Sequence, residues 1–351
     1  MLKSRRGLLT AGLAVAVVGT IGVASTLAAG AEQIPGDAPA APAQAAPAEP
    51  ASTPPTVLPW GGRPQRVKTG SPGASSRTLR AAGLAAAAAD ASGSLVPKER
   101  YGPKGRTSRT TFLKSGKTEI APPPEPPDDP STSKVFFHYS VASQAAETDG
   151  SYANITIGKP ALDKSDYHSL AEIAVQSADG QQIVEVGWNV DRVVNGDDDP
   201  HLFVYHWVNR ETSCYNGCGF KQYSSNLKPG DTLPYDVTKK FGVQYYAGNW
   251  WVAFDSEWIG YFPEALWNAK SVKFSRSGLV QIFGEVAAQT ETPCTDMGNG
   301  QPPEKETAAR VASISLLNGP TVAMFVRSTS DAYQVQPLSA RTFRFGGPGL
   351  C

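Results

Sequence analysis

Histidine is scarce in this chain: four in 351 residues, at positions 138, 168, 201 and 206. They make no metal-ligand spacing with the four cysteines. On a strand, His201 and His206 would face opposite ways. No metal centre is expected. Net charge is missing too, because 32 basic residues balance 32 acidic ones. That leaves no electrostatic footprint for nucleic acid. There is no G-x-G-x-x-G, no P-loop and no G-x-S-x-G elbow. Dinucleotide, nucleotide and serine-hydrolase chemistry therefore lack support, and no cofactor is expected. The acidic run Asn195-Gly196-Asp197-Asp198-Asp199-Pro200 lacks the alternating acids of an EF-hand loop and reads as an acidic turn.

The N-terminus reads as an export signal over residues 1–31. Ser4-Arg5-Arg6-Gly7-Leu8-Leu9 gives a twin-arginine start. An apolar run interrupted by glycines follows to about Val23, and Ala29-Gly30-Ala31 offers a cleavage site. Lys3, Arg5 and Arg6 lie in this segment without an acid, so its removal would leave a net charge of −3. The expected product is secreted, bacterial, free of the membrane after signal cleavage, and monomeric.

Residues 32–133 form a second region. Up to about Thr56 the chain is Ala/Pro-rich with almost no aromatic or β-branched residues, a composition that cannot bury a core. One helix-prone patch covers Arg77–Ser92. Six prolines in the ten residues from Ala121 to Pro130 make a stiff polyproline spacer. The region reads as a propeptide or a linker, and a domain boundary follows near Ser131–Lys134.

From residue 134 onward the texture becomes short apolar runs between Gly, Pro and Asp turns. Ala178-Asp179-Gly180 is a hairpin signal. Pro263–Ala269 suits one short helical turn. Thirteen segments between Val135 and Leu338 read as strands, which indicates an all-β antiparallel sandwich or barrel. In an exported chain four cysteines imply two disulfides, with three possible pairings. Cys214 and Cys218 are close enough for a local loop; Cys294 and Cys351 would then clip the C-terminus to the body.

Two strands carry the chemistry. In Gln182–Val190, Val184, Val186, Trp188 and Val190 share one face, while Ile183, Glu185, Gly187 and Asn189 share the other. In Leu279–Ala287, Gln281, Phe283 and Glu285 share a face. A carboxylate inside an apolar strand costs stability unless paired or protonated. Two of them facing one groove suit acid–base chemistry. Six of the seven tryptophans lie between Trp188 and Trp267. Trp188 and Trp207 sit on the apolar side of their strands and read as core. Of the adjacent pair Trp250 and Trp251, one must face outward, where it could stack on a proline or a sugar.

The surroundings of these strands resemble the neprosin family. The resemblance rests on Glu185-Val186-Gly187-Trp188-Asn189-Val190, Gly196-Asp197, Leu202-Phe203-Val204-Tyr205, Cys214-Tyr215-Asn216 and Cys218-Gly219-Phe220. It continues through Gly248-Asn249-Trp250-Trp251, Ile259-Gly260-Tyr261-Phe262-Pro263, Gly284-Glu285-Val286 and Met297-Gly298-Asn299-Gly300. It runs from about Val135 to the C-terminus. Phe283 and Phe262 depart from it, standing where the family usually has glycine and tryptophan. The resemblance implies a secreted glutamic endopeptidase of β-sandwich fold that cleaves after proline, with Glu185 and Glu285 as the catalytic pair.

Three functions follow as expectations. The first is this peptidase, acting on proline-containing peptides or proteins, with Trp188, Trp250, Trp251 and Tyr261 as candidate substrate contacts. The second is a β-sandwich glycoside hydrolase using the same two carboxylates. The third is a non-catalytic module whose tryptophans hold a cell-wall polymer.

Overall fold

The computed structural model describes residues 52–89, 102–103 and 135–351, together with the backbone of a two-residue hairpin, β1 (Lys114–Ser115) and β2 (Thr118–Glu119). The export signal and the spacer at 121–130 lie outside the described residues. Helix α1 (Ser76–Ala82) falls in the helix-prone patch. Ser75 caps its start by accepting from the Thr78 amide, and Gly83 closes it at φ +64°.

From Phe136 the chain is β. The strands are β3 (Phe136–Thr148), β4 (Gly150–Ile157), β5 (His168–Gln176), β6 (Ile183–Val190), β7 (His201–Trp207) and β8 (Lys221–Gln222). They continue with β9 (Val237–Tyr246), β10 (Asn249–Phe254), β11 (Glu257–Pro263), β12 (Ser277–Ala288), β13 (Arg310–Leu317), β14 (Phe325–Ser328), β15 (Gln334–Ser339) and β16 (Thr342–Gly346). Two single turns, α2 (Arg192–Asn195) and α3 (Ala265–Asn268), interrupt them. The thirteen expected strands all appear with shifted ends, and β16 is added. Its five residues include Arg344 and run into two glycines, too short and mixed for a strand signal.

The strands form two antiparallel sheets. One has the order β14-β3-β12-β5-β6-β7; the other has the order β15-β16-β13-β4-β9-β10-β11-β8. Their inner faces interdigitate as a sandwich. Val184, Val186, Trp188 and Val190 of β6 pack there with Phe241, Trp250, Val252, Phe254, Val280 and Ile282. His206 lies on this inner side, against Phe262 and Trp267, and burial lowers its pKa to about 4.

The outer face of the six-stranded sheet is also largely apolar. Tyr139, Leu170, Phe203, Tyr205, Trp207 and Phe283 form a second cluster across it. A strand buried on both faces reads as a continuous apolar run, which is why β5, β6 and β7 are buried along their whole lengths.

Residues 52–89 strap the sandwich, with Leu58 on the outer face of the larger sheet and Val67, Ala85 and Ala86 joining the main core cluster. Leu58 packs on Trp251, Ala253 and Trp258. Trp60 meets Tyr152 edge-on at 5.9 Å. The strap is also hydrogen-bonded: Trp258 Nε1 donates to Pro55 O, the Gln65 amide to Ser256 O, and the Ala87 amide to Thr232 O. Where the sequence suggests an arm without a core of its own, this stretch borrows one from the sheet.

Both disulfides close in the local-loop arrangement, Cys214 with Cys218 and Cys294 with Cys351. The acidic turn after α2 is held by protein groups. Asp197 accepts from His201 Nε2 at 2.8 Å, Asp198 pairs with Arg192, and Asp199 pairs with Lys159 at 2.5 Å. Among the described residues no cluster of His, Cys, Asp or Glu could hold a metal, and no helix is long and apolar enough to cross a membrane.

Candidate active site

Side-chain parity puts Glu185 and Glu285 on one face, the outer face of the six-stranded sheet. Both are fully buried. They are not strand neighbours. Glu285 on β12 pairs with Leu170 on β5, and Leu170 pairs with Asn189 on β6, four residues from Glu185. On a flat ladder, two strands across and four residues along separate their Cα atoms by roughly 17 Å.

A third carboxylate stands between them. Glu172 on β5 pairs with Phe283 on one side and Gly187 on the other. It is therefore one strand across and two residues along from each of the other glutamates. Diagonal neighbours of this kind come within reach of long side chains. Glu172 is also fully buried. It leans over Gly187, where an added Cβ would lie 2.7 Å from the Glu172 Cβ and 2.2 Å from Ala171 O. Only glycine fits beside it.

Tyr139 ties the three together. Its hydroxyl donates to Glu285, and its ionisation is held well above the ordinary phenol range, first by burial, then by the charges of Glu285, Glu172 and Glu185. Tyr139 thus keeps its proton and serves as a donor. Its ring meets Phe283 edge-on at 5.7 Å. The departure from the family pattern at position 283 therefore adds a phenyl wall beside Glu285.

Each outer glutamate has its own partners. Glu285 Oε1 lies 2.7 Å from His168 Nε2. The other ring nitrogen of His168 faces Asp191 Oδ2 at 3.9 Å. Glu185 Oε2 accepts from Trp207 Nε1 at 2.9 Å. Arg210 stands within electrostatic reach of Glu185, and burial lowers its pKa. Its Nε donates to Gly180 O, next to the hairpin turn.

The loop between β7 and β8 walls one side. Tyr215, carried in the Cys214–Cys218 loop, packs on Phe203 and Tyr205 with centroids 5.3 and 5.2 Å away. The Ser213 amide donates to Tyr205 Oη. Gly102 and Pro103 are buried here. A Cβ on Gly102 would lie 2.7 Å from Tyr205 Oη, so the backbone of the N-terminal region touches the glutamate face itself.

The candidate substrate tryptophans lie elsewhere. Trp188 and Trp250 fill the core between the sheets, where Trp188 donates to Thr156 O and Trp250 to Phe274 O. Trp251 faces outward as parity requires, but on the opposite sheet and under the strap, with no exposed surface. Tyr261 packs against it in a tilted arrangement, with ring centroids 4.5 Å apart. None of the four shares the glutamate face. Trp207 corrects the reading in the other direction: expected in the core, it belongs to the glutamate face and binds Glu185. Its strand is apolar on both sides, so apolarity did not identify the inner one. Tyr139, His168 and Glu172 carried no sequence signal beyond their parity, which becomes informative only once the ladder register is known.

The fold and this face together define a β-sandwich protein with a row of buried carboxylates on one sheet. Residues 165–348, more than half of the chain, match the family model Neprosin, and the chain belongs to that family. Among solved structures it is similar to scytalido-glutamic peptidase bound to a transition-state analogue inhibitor, with TM-score 0.37 and 10% identity over 61% of this chain and 100% of the other. An eqolisin-family peptidase in complex with the tripeptide Ala-Ile-His gives TM-score 0.32 and 11% identity over 61% and 100%. A carbohydrate-binding module from Bacillus subtilis gives TM-score 0.25 and 11% identity over 43% and 79%.

Proposed function

We propose that this protein is a secreted glutamic endopeptidase that cleaves after proline, with Glu185 and Glu285 as its acid–base pair. The observation that carries this reading is the buried row of Glu285, Glu172 and Glu185 on one face, all felt by the hydroxyl of Tyr139. General acid–base work by two carboxyls needs one of them to carry a proton, and activity is expected in acid.

The partners suggest the roles. Glu285 accepts from Tyr139 Oη and, with the ring assigned as the Nε2–H form, from His168. Held at this position by two donors, Glu285 is read as the general base on the attacking water. Glu185 accepts from Trp207 Nε1 at Oε2. We assign it the role of general acid. In that role it polarises the scissile carbonyl and then protonates the leaving nitrogen.

Residues 32–133 are read as a propeptide. Burial of Gly102 and Pro103 with Gly102 against Tyr205 supports this over a plain linker. The sugar-directed readings lose their support, because the tryptophans that would stack on sugar are not on the carboxylate face.

The test is cleavage of a proline-containing peptide between pH 3 and 8 by the full chain and by its Glu185→Gln and Glu285→Gln variants. Cleavage after proline in acid, lost in both variants, is the expected result. Hydrolysis that survives both substitutions overturns the pair.

A further inference from the structure

Two buried glutamines stand on the glutamate face beside the carboxyl row. Gln281 on β12 shares the parity of Phe283 and Glu285, and Gln176 on β5 shares that of Glu172. Both are shielded from solvent. Gln176 Nε2 donates to Gln281 Oε1 at 2.6 Å. Their neighbours on this face include Ile183, Tyr205, Leu279 and Phe283, so an uncompensated amide would cost stability here. The bond between the two side chains offsets part of that cost. It also fixes how the Gln281 amide is turned.

The ladder shows what they surround. Gln281 pairs with Ala174 on β5, and Ala174 pairs with Glu185 on β6. Gln281 and Glu185 therefore face each other in register over Ala174, two strands or about 10 Å apart between Cα atoms. Along β5, Glu172 and Gln176 flank the same alanine, each two residues or about 7 Å away. Four polar side chains thus enclose a floor made by a single methyl group. Gln281 Oε1 is turned to Gln176. A planar amide then carries its Nε2 on the other side, over the alanine and toward the carboxyls.

A peptide group suits this box. It is flat, and its carbonyl needs the kind of donor that Nε2 supplies. Polypeptide backbone already reaches the neighbouring position, because Gly102 lies against Tyr205, the ladder partner of Glu185. The box also lies at a definite distance from the proposed chemistry. Glu172 stands midway between Glu285 and Glu185, and Ala174 is two residues beyond it on β5.

We propose that Gln281 is a substrate-binding residue whose Nε2 donates to a backbone carbonyl of the bound peptide, about two residues of extended chain from the scissile bond. Gln176 is the positioning residue that turns the amide. The inference rests on the reading of Glu185 and Glu285 as the acid–base pair. It deepens that reading by making substrate length on one side of the cut a determinant of binding.

The experiment uses the full chain and proline-containing peptides extended stepwise on either side of the cut. In the unsubstituted protein, kcat/KM is expected to step up when one extension reaches Gln281. In Gln281→Leu that step should shrink by about 2–10-fold, the worth of one hydrogen bond, through KM more than kcat. Ala174→Val raises the floor with a residue suited to a strand and should shrink the step likewise. Should Gln281→Leu fail to fold because it strands the Gln176 amide, the double variant Gln176→Leu/Gln281→Leu replaces both partners by apolar groups, a change that is nearly neutral for stability. It still lacks the donor, so the step should shrink there too. A step of unchanged size in the variants, equal losses on short and long peptides, or no step in the unsubstituted protein overturns the proposal. With Glu185→Gln and Glu285→Gln inactive, each of these results leaves the glutamate pair standing. Absence of cleavage by the unsubstituted chain, or hydrolysis that survives both glutamate substitutions, overturns the pair and this inference with it.

Discussion

Trp207 Nε1 donates to Glu185 Oε2 at 2.9 Å, across adjacent strands of the six-stranded sheet. Glu185 pairs in the ladder with Tyr205, and Trp207 lies two residues further along β7, so the contact is a diagonal one. The indole therefore holds the carboxyl from the side away from Glu172. Trp207→Phe keeps a ring and removes the donor. A lost hydrogen bond to a buried carboxyl costs about 1–3 kcal/mol, measurable by urea denaturation. Steady-state kinetics on a peptide should show kcat falling more than KM changes, because Glu185 remains present but loses its fixed orientation.

The row of three carboxyls predicts unequal effects of glutamine. Glu185→Gln and Glu285→Gln should each lower kcat by about 10²–10⁴, the usual contribution of a positioned acid or base. Glu172→Gln leaves the proposed pair intact and removes the charge between them. It should retain measurable activity with a displaced pH optimum. A Glu172→Gln variant as inactive as the other two would move the pair to Glu172 and one of its neighbours. Rates at several pH values for all three variants decide this.

His206 predicts a loss of stability in acid. Burial beside Phe262 and Trp267 lowers its pKa from 6.5 to about 4. The unfolded chain then binds a proton that the folded chain refuses. Its contribution is fully present above about pH 6.5, falls as pH drops, and is exhausted near pH 4, a change of roughly 3 kcal/mol. His206→Phe should flatten this slope. Denaturant midpoints at pH 7 and pH 4.5 provide the measurement. A working range in acid, as proposed, would set this residue against the stability of the protein there.

Leu58 predicts that the N-terminal strap supports the domain behind it. It is 2% exposed and packs on Trp251 and Trp258. Leu58→Ala should destabilise the protein by about 2–5 kcal/mol. A chain beginning at residue 134 loses the whole strap, and its tryptophan emission should shift as Trp251 and Trp258 meet water. Thermal unfolding of the two shows whether the strap and the sandwich melt together.

The outlines of this arrangement were legible before the fold was known. Alternation along Gln182–Val190 and Leu279–Ala287 placed each glutamate on the face opposite its valines. The acidic turn at 195–200 and the small Cys214–Cys218 loop could also be read locally. What parity could not supply was the identity of each face. β5, β6 and β7 are buried on both sides, so Trp207 looked like core while serving Glu185. The link from Glu285 to Leu170, and on to Asn189, begins with a pairing of residues more than a hundred positions apart. No local pattern reports that register, and with it the alignment of Glu172 and His168 was hidden. The strap was obscured for the same reason, since Leu58 is apolar surface whose partners lie almost two hundred residues away.

The strap also bears on what a cut in the chain would release. Residues 52–89 are held to the sandwich by apolar packing and by hydrogen bonds at Pro55, Gln65 and Ala87, without any covalent link except the chain itself. A protease nicking the polypeptide between residues 89 and 135 would not shed this piece. The nicked protein would run as two bands on a denaturing gel and as one species on a sizing column. Its N-terminal fragment would remain a structural subunit of the molecule that lost its tether.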